Sequence, residues 1–204
     1  WQAYSGAIIA SRQPHTMDAS GLPVNAVMFV EPETREGRAL IEHHLDLGIT
    51  PMPESFYAQR GEVFEQYFKG DDEALVRAIR RFLSVLTDGV QPTMVTDERI
   101  LRATRYIHLH LTRPLTLEEV AREACLSPSR CRHLLVEQLG MGLRQYILWR
   151  RFLRVWKLLA EGASLSEAAH AAGFADAPHL ARTSRRNFGF PPSMMLVGPK
   201  KDGG

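Results

Sequence analysis

The sequence predicts a mainly α protein with a short β segment at its start, α+β overall. Three observations predict it. One helix-turn-helix pattern is written twice between Leu117 and Phe190, apolar residues recur at helical spacing in most segments from Thr34 on, and residues 1–33 hold two β-prone runs. The expected organisation is a β segment over 1–33, a helical connector over 34–92 and a seven-helix domain over 97–198.

The repeat reads LEEVAREACLSPSRCRHLLVEQLGM and then LSEAAHAAGFADAPHLARTSRRNFGF. Ala121 aligns with Ala169, Cys125 with Gly173 and Leu126 with Phe174 at an offset of 48; Leu139-Gly140-Met141 aligns with Phe188-Gly189-Phe190 at 49. The second copy therefore carries one extra residue in or just after its turn. Each copy, 117–139 and 165–189, reads as a short helix, a tight turn and a second helix.

In copy one, Leu117, Val120, Ala121 and Ala124 form one apolar face, and Thr116 with Glu119 can make a capping box. Ala121 is small, as close approach of the second helix requires. Ser127-Pro128 restarts the chain as N-cap and N1. Cys131, Leu134, Leu135 and Leu139 face inward, leaving Ser129, Arg132, His133 and Val136 outward, the face that suits a major groove. In copy two, Leu165, Ala168, Ala169 and Ala172 face inward, with Ser164 and Glu167 as the capping box. Gly173 sits where the turn needs positive φ, and Phe174 anchors that turn in the core. Asp176 caps the next helix, with Pro178 in its first turn. Leu180 and Phe188 point inward; Arg182 and Arg185 project outward, with Arg186 at the flank.

A helix over Gly142–Glu161 joins the copies. Its 20 residues span roughly 30 Å at 1.5 Å per residue, close to the roughly 34 Å of one DNA turn. Arg151 falls inside its apolar stripe of Leu148, Phe152, Val155, Leu158 and Leu159, and a carboxylate partner is expected for it.

The net charge of +2 hides a split. From Asp97 on there are 17 basic and 10 acidic residues, a net of +7; the first 96 residues carry 8 and 13, a net of −5. A basic half that coincides with the repeat points to double-stranded DNA as partner. No stretch is long enough to span a membrane, no signal peptide is legible, and a cytoplasmic setting is expected. The two cysteines, Cys125 and Cys131, fit a reduced compartment and are read as packing residues. No phosphate loop, zinc spacing or nucleophile–base pattern argues for an enzyme, so no catalytic residue, metal or cofactor is assigned. His43-His44 and His108/His110 are poorly placed to chelate one ion.

With these residues in view, the segment resembles the DNA-binding domain of the AraC/XylS family of arabinose-operon-type regulators. The resemblance rests on the paired helix-turn-helix units, Gln145-Tyr146-Ile147, Arg151, Ala169 with Gly173-Phe174, His179-Leu180-x-Arg182, and Phe188-Gly189-Phe190-x-Pro192. It covers roughly the last hundred residues. It implies one chain set in two adjacent grooves, with Ser129, Arg132 and His133 on the base-reading face of the first unit and Ala177, Pro178, His179 and Arg182 on that of the second. Arg130, Arg144, Arg150, Arg185 and Arg186 are expected at phosphates. Ala121, Ala169, Gly173, Phe174 and Arg151 are expected to be structural. The pattern departs from the family at Ser184, where an aromatic is usual, at Ala177, Pro178 and Ala181, where polar groups are common, and at Trp149, where arginine is frequent. A looser second core is expected from Ser184, and weaker base reading by the second unit.

Going back to the start, Tyr4–Ala10 and Val24–Val30 read as strands around a turn at 18–21. Gln13-Pro14-His15 and Phe29-Val30-Glu31-Pro32 resemble the closing strands of the cupin-like sensor barrel that many family members place first, so a remnant of that barrel is expected. His15 would face a ligand or metal there, or be a packing or strand-end residue. Helices are expected over Thr34–Leu47, Glu62–Phe68 and Asp71–Leu86, with a break at Thr50–Glu54 and a linker at Gln91-Pro92-Thr93. These helices pack on the barrel, form a homodimer interface or build an intrachain core. The chain opens at Trp1, from which preceding residues are expected. The function expected is a transcription regulator under small-molecule effector control, with RNA polymerase as a further partner. The alternative is a protein-interaction module derived from such a regulator.

Overall fold

A computed structural model describes residues 5–10, 13–15, 18, 21, 26–44, 48–92 and 97–192. The chain divides into two compact units, 1–94 and 95–204.

In the first unit, strand β1 (Ala7–Ile9) pairs antiparallel with β2 (Ile49–Pro51), Ile8 opposite Thr50. Between them lies helix α1 (Arg35–His44); after them come a single 3-10 turn at Glu54–Phe56, α2 (Tyr57–Lys69) and α3 (Asp72–Leu86). Asp71 caps α3 by accepting from the Ala74 amide at 2.9 Å. The core is Leu40, Phe82 and Leu86, with Ile8, Val30, Met52, Phe56, Val63 and Leu83 around it.

Three expectations change here. Residues 26–30 form no strand, so the expected pairing of Val24–Val30 with the first strand is replaced by Ile49–Pro51. β propensity makes a segment able to pair, but packing selects the partner. Val27 and Met28 stay exposed, while α1 sets Leu40 on Phe82 and Leu86 and returns the chain beside β1. Thr50, expected in a break, lies inside β2. Helix α2 starts at Tyr57 rather than Glu62, because Gly61 in its interior and a thin apolar pattern hide its first turns from periodicity. His15 is exposed, its Nδ1 2.8 Å from the Gln13 carbonyl. Residues 19–20, 22–25 and 45–47, which fall within expected elements, lie outside the described residues.

The second unit is built from α4 (Glu98–Leu109), α5 (Leu117–Glu123), α6 (Pro128–Leu139), α7 (Leu143–Ala160), α8 (Leu165–Ala171) and α9 (Ala177–Phe188). These are six of the seven expected helices; residues past 192 lie outside the described part. Two cores form. The first joins Ile100, Ala103, Ile107 and Leu111 to Val120, Ala121, Cys131, Leu134, Leu135, Leu139 and the fully buried Tyr146. The second joins Phe152, Val155 and Leu159 to Ala168, Ala169, Phe174 and Leu180.

Helix α7 serves both cores: its first half packs Tyr146 and Trp149 on the first, its second half Phe152 and Trp156 on the second. Trp149 and Trp156 meet edge to face at 5.7 Å, so the two cores are joined along one helix. Among the described residues, no helix is long and apolar enough to cross a membrane.

Candidate nucleic-acid interface

Both helix-turn-helix units are assembled by the same backbone chemistry. Each first helix opens on a complete capping box. The Thr116 amide donates to Glu119 Oε2 at 2.9 Å while Glu119 N–H donates to Thr116 Oγ1 at 3.2 Å; Ser164 and Glu167 repeat the exchange at 2.8 and 3.3 Å. Each first helix is then closed by matching bonds from the turn: Cys125 N–H to the Arg122 carbonyl and Gly173 N–H to the His170 carbonyl, both at 3.0 Å, then Leu126 N–H to the Ala121 carbonyl at 2.8 Å and Phe174 N–H to the Ala169 carbonyl at 2.9 Å. Ala121 and Ala169 are buried beneath these closures.

The residue at the bend has positive φ in both units, 54° at Cys125 and 85° at Gly173. The second helices are capped by Ser127, whose Oγ accepts from Arg130 N at 3.3 Å, and by Asp176, whose carboxylate accepts from His179 N at 2.6 Å. Since α5 to α8 is an offset of 48 and Ser127 to Asp176 one of 49, the extra residue is Ala175, within the turn.

Cys131, Leu134, Leu135 and Leu139 of α6 are buried, and Ser129, Arg130, Arg132, His133 and Val136 are exposed. His133 Nε2 lies 3.8 Å from Glu137 on the same face. On α9, Leu180 is buried while Pro178, His179, Arg182, Arg185 and Arg186 are exposed; Ala177 is half-buried. Among the described residues, no carboxylate pairs with Arg132, Arg182, Arg185 or Arg186. His179 Nδ1 accepts from the Ala175 amide at 3.4 Å, which leaves its Nε2–H as the outward donor. Arg144 is exposed at the start of α7, and Arg150 is half-buried.

Three residues differ from expectation. Arg151 was expected to meet a carboxylate, but its Nε donates to the Leu111 carbonyl at 2.8 Å and its Nη2 to the Arg113 carbonyl at 3.2 Å. These carbonyls lie in the connection between α4 and α5, and two peptide dipoles stand in for an anion. Burial pulls the Arg151 pKa down from its usual value. Gly173 sits against this junction: a Cβ there would lie 2.7 Å from the Leu111 carbonyl oxygen and 3.1 Å from Arg151 Nε. The turn of the second unit is thereby seated on the connection between α4 and α5 and on α7.

Cys125 is not a packing residue; it is exposed at the bend, and only Cys131 is buried, with burial raising its thiol pKa. Ser184, expected to loosen the second core, is fully buried and donates to the Phe190 carbonyl at 2.8 Å. The aromatic bulk comes from elsewhere, with Phe152 4.7 Å from Phe188 and 5.3 Å from Phe174, ring centre to ring centre.

Sequence reasoning missed the Arg113 brace, in which the guanidinium donates to Tyr106 Oη at 2.8 Å and to Glu119 at 3.1 Å. The Arg113–Tyr106 partners are seven residues apart and straddle a helix end, where periodicity gives no signal. Among the described residues, no group of three His, Cys, Asp or Glu is placed to hold a metal ion.

The helix-turn-helix domain family matches residues 120–196. The Arabinose operon regulatory protein of Salmonella typhimurium is 31% identical over 129 residues, covering 61% of this chain and 44% of that protein. Its Escherichia coli counterpart is 30% identical over 129 residues, 61% and 42% respectively. The chain thus spans less than half the length of these two relatives. The crystal structure of an AraC-type transcriptional regulator from Chromobacterium violaceum is similar at 23% identity, covering 52% of this chain and 96% of that one, with a TM-score of 0.47. Both relatives are named as regulatory proteins. The doubled units and their shared caps thus lie in a stretch that matches the helix-turn-helix domain family and is similar to the arabinose operon regulatory proteins.

Proposed function

We propose that this chain is a sequence-specific DNA-binding transcription regulator that sets α6 and α9 into adjacent major grooves of one duplex. The observation that carries this reading is the pair of outward rows. Two helices built by the same cap-and-turn chemistry each bury one face and leave arginine and histidine in water on the other. Helix α7, 18 residues and so about 27 Å long, supports a separation near the roughly 34 Å of one DNA turn.

Ser129, Arg132 and His133 read bases from α6, and His179 and Arg182, beside Ala177 and Pro178, from α9. Arg130, Arg144, Arg150, Arg185 and Arg186 hold phosphates. The excess of positive charge from Asp97 on supports this assignment. Control by a small-molecule effector through residues 1–94, homodimerisation there and contact with RNA polymerase extend the same reading.

The test is selection of bound sites from random DNA, followed by titration of the best site and of unrelated DNA at several salt concentrations. Arg182→Ala is expected to weaken the selected site by about 1–3 kcal/mol and relax preference at one base pair. Arg185→Ala is expected to weaken both DNAs alike and reduce the salt slope by about 1. Equal loss on both DNAs for Arg182→Ala contradicts a base-reading role.

A further inference from the structure

Val136 is 45% exposed on the outward face of α6, although Cys131, Leu134, Leu135 and Leu139 already supply the buried face of that helix. Nothing in the fold asks for an apolar group there. The second unit has the same helix, and at the matching position, 49 residues on, stands the exposed Arg185. Local propensity does not ask for it either, since valine is a poorer helix former than arginine, lysine or glutamate.

The position is distinctive. With Ser129, Arg132 and His133, Val136 completes an i, i+3, i+4, i+7 set, the spacing by which a homeodomain's third helix lines up its groove-reading residues. Polar residues flank it, His133 and Glu137 both being exposed. Of the groups in the major groove, one is apolar: the C5 methyl of thymine.

We infer that Val136 is a specificity-determining residue whose isopropyl group packs on a thymine methyl in the site read by α6. The inference rests on the DNA-binding reading above and adds to it a base and an atom. The two units then divide the work. Helix α6 combines polar contacts from Arg132 and His133 with one apolar contact, while α9 joins base contacts from His179 and Arg182 to phosphate contacts from Arg185 and Arg186.

The experiment uses the full chain and the site selected from random DNA. Each thymine is replaced in turn by deoxyuridine, which keeps every hydrogen-bonding edge and removes only the methyl. Wild type is expected to lose about fourfold in affinity at one thymine, the worth of one buried methyl group. Val136→Ala is expected to show no loss there, and a cytosine at that place is expected to bind wild type more tightly when 5-methylated. Val136 is exposed, so the variant keeps its core. Arg132→Ala is run beside it. If Arg132→Ala relaxes sequence preference but the deoxyuridine penalty is absent, or persists in Val136→Ala, the assignment of Val136 is overturned while DNA reading by α6 stands. If neither variant changes preference, the reading of α6 itself falls, and the inference with it.

Discussion

At the bend of the first helix-turn-helix unit, Cys125 holds φ at 54°, a conformation that Gly173 adopts at 85° in the second. A side chain in left-handed backbone costs about 1–2 kcal/mol, and glycine returns about half of that as lost chain entropy. Cys125→Gly is therefore expected to stabilise the protein by about 0.5–1 kcal/mol in denaturant unfolding. Gly173→Ala runs the other way, adding the same backbone strain and placing a Cβ 2.7 Å from the Leu111 carbonyl oxygen. A loss of about 2 kcal/mol or more is expected, since the clashing atom is backbone and cannot swing aside. The alignment of Cys125 with Gly173 was legible in the sequence. That Gly173 also touches Arg151 was not, because Leu111, Arg151 and Gly173 are brought together only by the fold.

The capping boxes act at the scale of the element. The Thr116 amide, first, and Arg113 after it hold the Glu119 carboxyl below the usual glutamate range; hydrogen bonds from the Ser164 hydroxyl and amide do the same for Glu167. The side-chain hydrogen bond from Arg99 lowers Asp97, the N-cap of α4, to about 2. All three are carboxylates whose folded pKa lies below the unfolded one. Their stabilisation is complete above the ordinary carboxylate range and is lost as pH falls through the folded values. Unfolding free energy measured from pH 6 down to pH 2 is expected to decline from about pH 5. The double variant Glu119→Gln, Glu167→Gln keeps one acceptor oxygen for the Thr116 and Ser164 amides, gives up the Glu119 oxygen that accepts from Arg113, and cannot titrate. It is expected to show a shallower decline, the remainder belonging to Asp97 and to any other shifted carboxylate; an unchanged profile would remove the caps as its cause.

For the whole C-terminal unit, the question is whether the two second helices move as one body. Helix α7 enters both cores, Trp149 meets Trp156 along it, and Arg151 ties its middle to the Leu111 and Arg113 carbonyls on which Gly173 rests. A rigid pair tolerates one spacing of half-sites. Inserting about 5 base pairs between them, half a turn of DNA, is expected to reduce binding to the strength of a single half-site. Arg151→Ala is expected to lower affinity at the native spacing and to narrow the difference between spacings in a gel-shift titration. If wild type binds both spacings equally, the two helices are not held as one body.

Local chemistry determined much of this protein. Helix periods, Thr116 and Ser164 as caps, the positive-φ bend and the inner and outer faces of α6 and α9 depend on residues within one or two turns of each other, and such short-range rules can be read from the chain. Tertiary structure alone decided that β1 pairs with Ile49–Pro51, that Arg151 binds carbonyls instead of a carboxylate, and that the Ser184 hydroxyl is satisfied by Phe190. In the first two cases the partners lie about 40 residues apart; in the third a helix end intervenes. A buried polar group accepts whichever partner packing delivers, so the sequence states the need and the fold supplies the answer.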